Sequence, residues 1–229
     1  MNQIVPVKES RVERKKREAR DRIVGAAERL MRSRPMDSVT IQDITSAADT
    51  GHGTFYLHFS SKYEVLLPII QQVAAEWDQI IQQNLAQTED PAELMCSAIR
   101  YMGRVIISDP LWIWMLEHSG MPIEEMKDAV GRFAARDFGK GLMSGRFVVP
   151  DLALTSTFML GAFSSGLLSI ARQDDIAQSV DQIAELMLRI LGLEQDEARQ
   201  IANMPLPALL SDNKPIQNWR LPDINGAKQ

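Results

Sequence analysis

Apolar positions recur at helical spacing along most of the chain. In the first segment, successive apolar residues are spaced four, four, three and one apart, which places them on one face of a helix that Pro35 ends: Ala19, Ile23, Ala27, Leu30 and Met31. No convincing run of alternating apolar and polar residues, the pattern typical of a strand, interrupts these segments. The sequence therefore predicts an all-α fold.

Further helices are predicted between the breaks that proline and glycine introduce. Thr40 begins a short second helix, with Asp43 placed to complement its first N–H groups. Ser61 and Glu64 have the spacing of a capping box, which predicts a long helix from that point, and Pro68 inside it is expected to bend it. The later predicted helices cover residues 92–108, 111–119, 123–145, 151–172, 176–191 and 195–203.

The pattern predicts four parts of the chain. They are a basic N-terminal arm over residues 1–18, a three-helix domain over 19–66, a larger helical domain over 67–204 and a tail over 205–229. The tail holds four of the eleven prolines, so we expect it either to lie extended on the preceding domain or to be disordered.

Charge is divided unevenly between the two ends. The formal net charge is −5, yet residues 1–62 carry 12 Lys and Arg against 8 Asp and Glu, whereas residues 63–229 carry 13 against 22. A basic end on an acidic protein directs a polyanion to that end. The basic run over residues 11–22 is either a solvated charged tail or an arm that follows a DNA backbone or enters its minor groove.

Several classes of protein are disfavoured by what the sequence lacks. Cys96 is the only cysteine, which excludes an internal disulfide and a cysteine-based metal cluster. The N-terminus has no apolar signal core, and the most apolar segment, residues 158–171, is too short to span a bilayer, so we expect a cytoplasmic protein without a membrane partner. Since the common hydrolase and phosphate-loop motifs are missing, we expect no enzyme activity, metal or cofactor. Two other classes remain as alternatives to the function that the next stretch of sequence predicts. They are a helical enzyme or carrier, and an architectural DNA-binding protein without a ligand.

The most informative stretch is residues 40–67, TIQDITSAADTGHGTFYLHFSSKYEVLL. A short helix, a tight turn and a second short helix form the unit that places one helix in the major groove of DNA. Phe55 and Phe59 share a face and would anchor the second helix, although an ordinary helical hairpin within a bundle is the alternative. The outward positions carry hydrogen-bonding side chains suited to phosphates and base edges: His52, Thr54, Tyr56 and His58.

This stretch resembles the DNA-binding domain of the TetR family of bacterial regulators. The family pattern G-T-F-Y-x-x-F-x-x-K-x-x-L is matched by Gly53, Thr54, Phe55, Tyr56, Phe59 and Lys62, followed by Val65 and Leu66. The resemblance covers roughly residues 19–67 and implies a helix-turn-helix domain followed by a helical domain for ligand binding and dimerisation. It implies phosphate contacts from Thr40, Thr54, Tyr56, His58 and Lys62, and base-edge or groove contacts from Gln42, Gly51, His52 and Gly53.

Asp49 and Gly51 depart from the family pattern, and Lys62 matches it. Asp49 stands where glycine is usual, although Asp tolerates the left-handed conformation better than most residues. Gly51 stands where a capping Ser or Thr is usual, so Thr50 or Asp49 is expected to cap the second helix instead. Lys62 is expected in the first turn of the long helix, where its ammonium and the helix N-terminus would together hold a phosphate.

The resemblance also implies a small-molecule effector, held among helices of the larger domain. Aromatic and Met side chains there could line an apolar cavity, and Tyr101, Arg104 or His118 could fix one polar end of a ligand, although plain core packing is the alternative for any of them. We therefore expect a repressor that a mostly apolar effector releases from a palindromic operator. The candidate effector-binding residues are Trp77, Tyr101, Arg104, Trp112, Met115, His118 and Phe133.

A homodimer is expected to form through residues 151–191. Two helices per subunit would build a four-helix bundle across a two-fold axis, unless they line the core of their own subunit. Small residues recur on the first helix at Gly161, Ala162, Ser165, Gly166 and Ser169. The second helix offers an apolar stripe of Val180, Ile183, Ala184, Met187 and Ile190.

Overall fold

The computed structural model describes residues 10–85, 87–118, 136–171, 176–207, 210–211 and 214–215. Within these ranges the chain is almost entirely helical, which confirms the predicted all-α class. It divides into two compact units, an N-terminal unit ending at Ile70 and a C-terminal unit beginning at Gln71.

The N-terminal unit is built on three helices and a short 3₁₀ turn, and a fourth helix begins within it. Helix α1 is α-helical from its cap at Ser10, whose hydroxyl accepts from the Glu13 N–H while the Glu13 carboxylate accepts from the Ser10 N–H. The elements are α1 (Arg11–Ser33), the 3₁₀ turn (Met36–Ser38), α2 (Ile41–Ala47), α3 (His52–Tyr56) and the start of α4 (Leu66–Leu85).

The core of this unit lies on the face of α1 that the apolar spacing predicts. Ile23, Ala27 and Met31 are each at most 1% exposed, and α1 contacts both α2 and α3. Val39 and Ile44 complete the buried layer beneath α2. Burial of these side chains supplies the main stabilisation of so small a unit.

Helix α4 begins at Leu66, later than predicted. The Glu64 carboxylate accepts from the backbone N–H of Ser60 at 2.8 Å, and residues 62–65 form turns rather than helix. Pro68 is consequently the third residue of α4, in the turn whose N–H groups have no partner within a helix. The expected bend at Pro68 therefore has no basis, because no helical hydrogen bond is lost there.

The C-terminal unit is arranged around α9, which packs against α5, α8 and α10. Gly103 on α5 permits a close approach, since a Cβ there would lie 2.8 Å from the Val180 side chain of α9. The helices after α4 are α5 (Pro91–Ser108), α6 (Pro110–Glu117), α7 (residues 136–143), α8 (Leu152–Ile170), α9 (Ile176–Ile190) and α10 (Gln195–Ala202).

Partly buried ion pairs hold this unit together. The Asp181 carboxylate accepts from Arg100 at 2.8 Å and from Arg104 at 2.6 Å, which joins α5 to α9. Arg100 also donates to the carbonyl oxygen of Met204 at 2.7 Å, just after α10. Arg146 forms two 2.8 Å hydrogen bonds with the Asp90 carboxylate, and these bonds lower the pKa of that carboxyl.

The tail is described only in part. Strand β1 (Leu210–Ser211) pairs antiparallel with β2 (Lys214–Pro215), with Leu210 opposite Pro215. The expectation of an extended arm or a disordered tail otherwise concerns residues outside the described ranges, so it stays a prediction.

Helix α8 differs from the other described helices in length and apolarity. It is the one candidate among them that could cross a membrane by length and composition, a test that core helices of soluble proteins also pass. Only 22% of that apolar stretch is buried within the chain. Much of its apolar surface is therefore not covered by the part of the chain that the structure describes.

Candidate nucleic-acid interface and effector site

A tight turn sets the position of α3. Asp49 adopts a φ of 50°, so it occupies the left-handed conformation that its type tolerates. Gly51 is the N-cap of α3 and no side chain caps it within the described residues, so the expected capping by Thr50 or Asp49 is wrong. Phe55 is fully buried and its ring lies 5.7 Å from that of Phe59, which confirms that both anchor α3 to the core.

The opposite side of α3 faces outward. His52 and Tyr56 are exposed, whereas Thr54 and His58 are half-buried. The His52 Nε2–H donates to Gln42 Oε1 at 2.5 Å, so the two expected base-reading side chains of α2 and α3 lie together. This pair presents further donor and acceptor capacity to a base edge.

Gly51 and Gly53 lie beside this pair, and no contact among the described residues requires a glycine at either position. A Cβ added to Gly51 or Gly53 would meet nothing within 4 Å, and both residues have ordinary φ values. A glycine in a helix is less stable than alanine by roughly 1 kcal/mol, so packing does not favour Gly53. The bare backbone instead leaves room for a partner to approach closely.

Thr40 is exposed, but its hydroxyl is engaged in capping α2. The hydroxyl donates to Asp43 Oδ2 at 2.7 Å and accepts from the Asp43 N–H at 3.1 Å, which confirms the predicted start of α2. The hydrogen bonds from Thr40, together with Arg34 at 2.6 Å, lower the pKa of the Asp43 carboxyl. The hydroxyl proton of Thr40 is therefore already used within the cap, and a phosphate at this point would need a different donor.

Lys62 does not occupy the expected position in the first turn of α4. Its ammonium donates to the carbonyl oxygens of Met36 at 3.1 Å, Asp37 at 3.4 Å and Val39 at 2.9 Å. A lysine has three N–H donors, and all three point to the segment between α1 and α2. Lys62 therefore connects the segment between α1 and α2 to the turn that precedes α4. Helix α4 begins four residues after Lys62.

Some exposed residues near α3 were missed by the sequence analysis. Leu57 is 72% exposed beside Tyr56, and an apolar side chain at this edge could contact a thymine methyl group. On α1, the Arg20 guanidinium lies 5.5 Å from the Phe59 ring centre. The exposure of Leu57 could have been predicted, because Leu57 lies opposite Phe55 and Phe59 around the helix. The closeness of Arg20 on α1 to Phe59 has no signal in the sequence.

The effector candidates of the C-terminal unit are mostly buried. Trp77, Tyr101 and Trp112 are 6–7% exposed, and Met115 is fully buried. Tyr101 and Trp112 lie on α5 and α6, which pack against each other, whereas Trp77 lies on α4. Burial raises the pKa of the Tyr101 phenol, so this group stays protonated.

The other candidates differ in their surroundings. The Arg104 guanidinium is bound by Asp181 and by the carbonyl oxygens of Arg100 and Ala177, so it joins α5 to α9 rather than facing a ligand. His118 is exposed, with its ring stacked 4.1 Å from that of Trp114. Phe133 lies outside the described residues.

The indole nitrogens of both tryptophans of α6 are buried. The Trp112 indole Nε1 has no hydrogen-bond acceptor among the residues that the structure describes. A buried N–H group without an acceptor costs roughly 1–3 kcal/mol. An acceptor brought by a ligand would remove that cost.

The helices expected to form a dimer place their residues differently from the prediction. On α9, Val180, Ile183, Ala184 and Met187 are buried inside the subunit, so the apolar stripe packs against its own chain. A Cβ on Gly166 would lie 3.1 Å from the Ile183 side chain, so this glycine serves packing of α8 on α9. Assigning Gly166 and these four residues of α9 to the dimer surface is therefore wrong, whereas Gly161, Ser165 and Ser169 of α8 are exposed.

Other apolar side chains of the same two helices face outward. Leu154 and Phe158 of α8 are 66% and 62% exposed, and Leu186 of α9 is 55% exposed. Gly161, one turn beyond Phe158, is exposed, and a Cβ added there would meet nothing within 4 Å. This outward face comprises Leu154, Phe158, Gly161 and Leu186, and we call it the α8–α9 apolar face.

Family models match both parts of the chain. Residues 23–69 match the bacterial regulatory proteins of the tetR family, and residues 90–204 match the tetracyclin repressor-like C-terminal domain. The chain belongs to the TetR family. Its members are transcriptional regulators, which are generally not enzymes, and the resemblance seen in residues 19–67 is confirmed.

Individual relatives agree with this family membership. The regulator EthR of Mycobacterium tuberculosis is 35% identical over 71 residues, which is 31% of this chain and about a third (32%) of EthR. The crystal structure of RolR with resorcinol has a TM-score of 0.79 at 30% identity, covering 86% of this chain and 99% of RolR. FadR of Thermus thermophilus, solved with lauroyl-CoA, shares the fold with a TM-score of 0.63 at 23% identity, covering 76% of this chain and 96% of FadR.

Proposed function

We propose that this TetR family member is a cytoplasmic regulator that binds duplex DNA through α2 and α3. The observation that carries this proposal is the exposed Gln42–His52 pair beside Gly53, because these groups are suited to base edges and serve no packing role. Thr54, Tyr56 and His58 are assigned to phosphates; Tyr56 is exposed, and Thr54 and His58 are half-buried. Thr40 and Lys62 stabilise the unit instead, and we assign them no direct contact.

The proposal includes a two-fold homodimer formed through the α8–α9 apolar face. Leu154, Phe158 and Leu186 offer large apolar side chains that no part of the described chain covers. Gly161 would let two copies of α8 approach closely. A two-fold dimer presents two α3 helices, so the operator would consist of two inverted half-sites.

The effector is proposed to be a small, mostly apolar molecule that carries a hydrogen-bond acceptor. Trp77, Tyr101, Trp112 and Met115 supply apolar and aromatic surface, and the Trp112 N–H lacks an acceptor among the described residues. A phenolic compound fits this description, and RolR, at 30% identity, was solved with resorcinol. By binding one conformation better than the other, the effector would release DNA and relieve repression.

Selection of duplexes from a random pool tests the DNA-binding part of the proposal. Enriched duplexes are expected to share two inverted half-sites, and His52→Ala is expected to change the preferred bases. Tyr56→Phe, which removes one hydroxyl, should weaken all sequences alike. Failure of the full-length protein to enrich any sequence would contradict the proposal.

The effector part is tested by Trp112→Phe, which keeps an aromatic ring and removes the indole N–H. A phenol that releases the enriched duplex from wild type should bind this variant about tenfold more weakly, the value of one hydrogen bond of about 1.4 kcal/mol. Trp114→Phe removes the second buried indole N–H of α6, and it should leave the phenol affinity unchanged, because the Trp114 ring stacks on the exposed His118. Equal phenol affinity for wild type and Trp112→Phe would place the acceptor, and with it the site, elsewhere.

A further inference from the structure

The positive charge of the N-terminal unit is concentrated at one end of α1. Residues 11–22 contain seven Lys and Arg against three Asp and Glu, whereas residues 23–62 contain four of each. Helices α2 and α3 therefore carry no net positive charge with which to attract DNA. The proposed outward contacts come from His52, Thr54 and Tyr56, none of which is a lysine or an arginine.

This charged segment is a folded extension of α1 rather than a loose arm. The Ser10–Glu13 capping box begins the helix, and Arg14 pairs with Glu18 at 3.5 Å one turn later. Residues 11–18 are all exposed, so they extend about 12 Å of helix beyond the buried part that starts at Ala19. A helix holds its cations in fixed positions, which lowers the entropy lost on binding.

One face of the extension lies beside α3. The Arg20 guanidinium packs 5.5 Å from the ring centre of Phe59. Burial, and then the charges of Lys16 and Arg20, lower the pKa of His58, so both cations lie close to this residue, which follows α3 by two positions. Lys16 is exposed, and the part of the chain that the structure describes provides no ion pair for it.

We propose that residues 11–22 of α1 bind the phosphate backbone of duplex DNA beside α3, with Lys16 and Arg20 as the contacts. This inference rests on the proposed function and assigns its electrostatic part to α1, while α2 and α3 read bases. Arg14 lies about 200° around the helix from Lys16, and Glu18 offsets its charge. The extension thus has one DNA-facing side, which carries Lys16, and one side that faces solvent.

The test compares Lys16→Gln with the matched control Arg14→Gln on the full-length protein. The affinity for a selected duplex and for a permuted one is measured by fluorescence anisotropy at several salt concentrations. Each lost phosphate contact should reduce the slope of log K against log salt by about 0.9, for both duplexes alike. Lys16→Gln should show this reduction, and Arg14→Gln should keep the wild-type slope.

A second readout tests the geometry without DNA. The pKa of His58, followed by NMR, should rise in Lys16→Gln because a neighbouring positive charge is lost, and should not change in Arg14→Gln. Wild-type binding to DNA with equal slopes for both variants would overturn this inference alone. Absence of binding to any duplex by the wild type would overturn the proposed function, and this inference with it.

Discussion

The N-terminal and C-terminal units use their polar side chains in opposite ways. In the N-terminal unit, Gln42, His52 and Tyr56 are exposed, and Gln42 and His52 are hydrogen-bonded to each other at the surface. In the C-terminal unit, Arg100 and Arg104 are bound internally by Asp181, and the exposed side chains Leu154 and Phe158 of α8 are apolar. The exposed side chains that a partner could contact are therefore polar in the N-terminal unit and apolar on α8 of the C-terminal unit.

The largest expected effect tests the apolar side of this comparison. Phe158→Glu places a charge in the α8–α9 apolar face and should make the protein monomeric, as measured by sedimentation. Because a dimer gains affinity by engaging two half-sites, operator binding should weaken by about 100-fold or more. Met143→Glu, at an exposed apolar residue outside α8 and α9, is the control and should remain dimeric.

A contrasting variant separates the dimer surface from the internal packing. Gly166→Arg should lower the stability of the subunit itself, since even a Cβ would lie 3.1 Å from Ile183. A Phe158→Glu protein that sediments as a dimer would show that the uncovered face of α8 serves another purpose.

The next prediction concerns Lys62, a cation that the fold does use. Lys62→Met should lower the free energy of unfolding by about 2–3 kcal/mol, because three carbonyl oxygens lose a charged donor. Urea denaturation measures this, with Lys140→Met as the control, since Lys140 is half-exposed and lies 3.8 Å from Asp137. Unchanged stability together with lost DNA binding would instead support the phosphate contact that the family resemblance implies.

Helices α1, α2 and α4 illustrate how far the sequence could predict the site. The four-residue apolar spacing of α1 identified its buried face, and the Thr40–Asp43 spacing identified the start of α2. Ser61 and Glu64 have the same favourable spacing, yet the Glu64 carboxylate accepts from the N–H of Ser60 instead. Helix α4 therefore begins later than predicted, and Lys62 lies before it rather than in its first turn. Periodicity shows which residues share a face but not what lies opposite.

Helices α8 and α9 also show that a sequence pattern does not identify the surface against which a helix face packs. The stripe of Val180, Ile183 and Met187 was recognised as one face of α9, but its partner is α5 and α8 of the same subunit. The ion pairs of Arg104 are likewise invisible in the sequence, because Asp181 is 77 residues away. Long-range contacts of this kind decide which candidate residues remain available to a ligand.

A smaller effect is expected at the turn before α3. Asp49→Gly should stabilise the N-terminal unit by roughly 0.5–1 kcal/mol, because the φ of 50° costs a residue with a Cβ more than glycine. Ala47→Gly, at an exposed helical position in α2, should destabilise it by a similar amount. Thermal unfolding compares the two, and a loss of stability in Asp49→Gly would indicate that the aspartate has a further role in the turn.

The smallest effect is expected at Cys96, which reports on the interior of the C-terminal unit. Burial raises the pKa of this thiol to about 11, so only about one molecule in 1,000 carries the thiolate at pH 8. A thiol reagent should leave Cys96 unmodified in the native protein and modify it fully in urea. An Ala75→Cys variant, exposed on α4, should react at once, and rapid native reaction of Cys96 would show that α5 opens.

The central claim is that this protein recognises DNA sequence through exposed groups of α2 and α3. Fluorescence anisotropy of a selected duplex and of its permuted sequence, at one fixed salt concentration, tests it most directly. Specific recognition predicts that the selected duplex binds at least about 10³-fold more tightly than the permuted one, and that His52→Ala reduces this ratio. Equal affinities for the two duplexes at that salt concentration would contradict the claim.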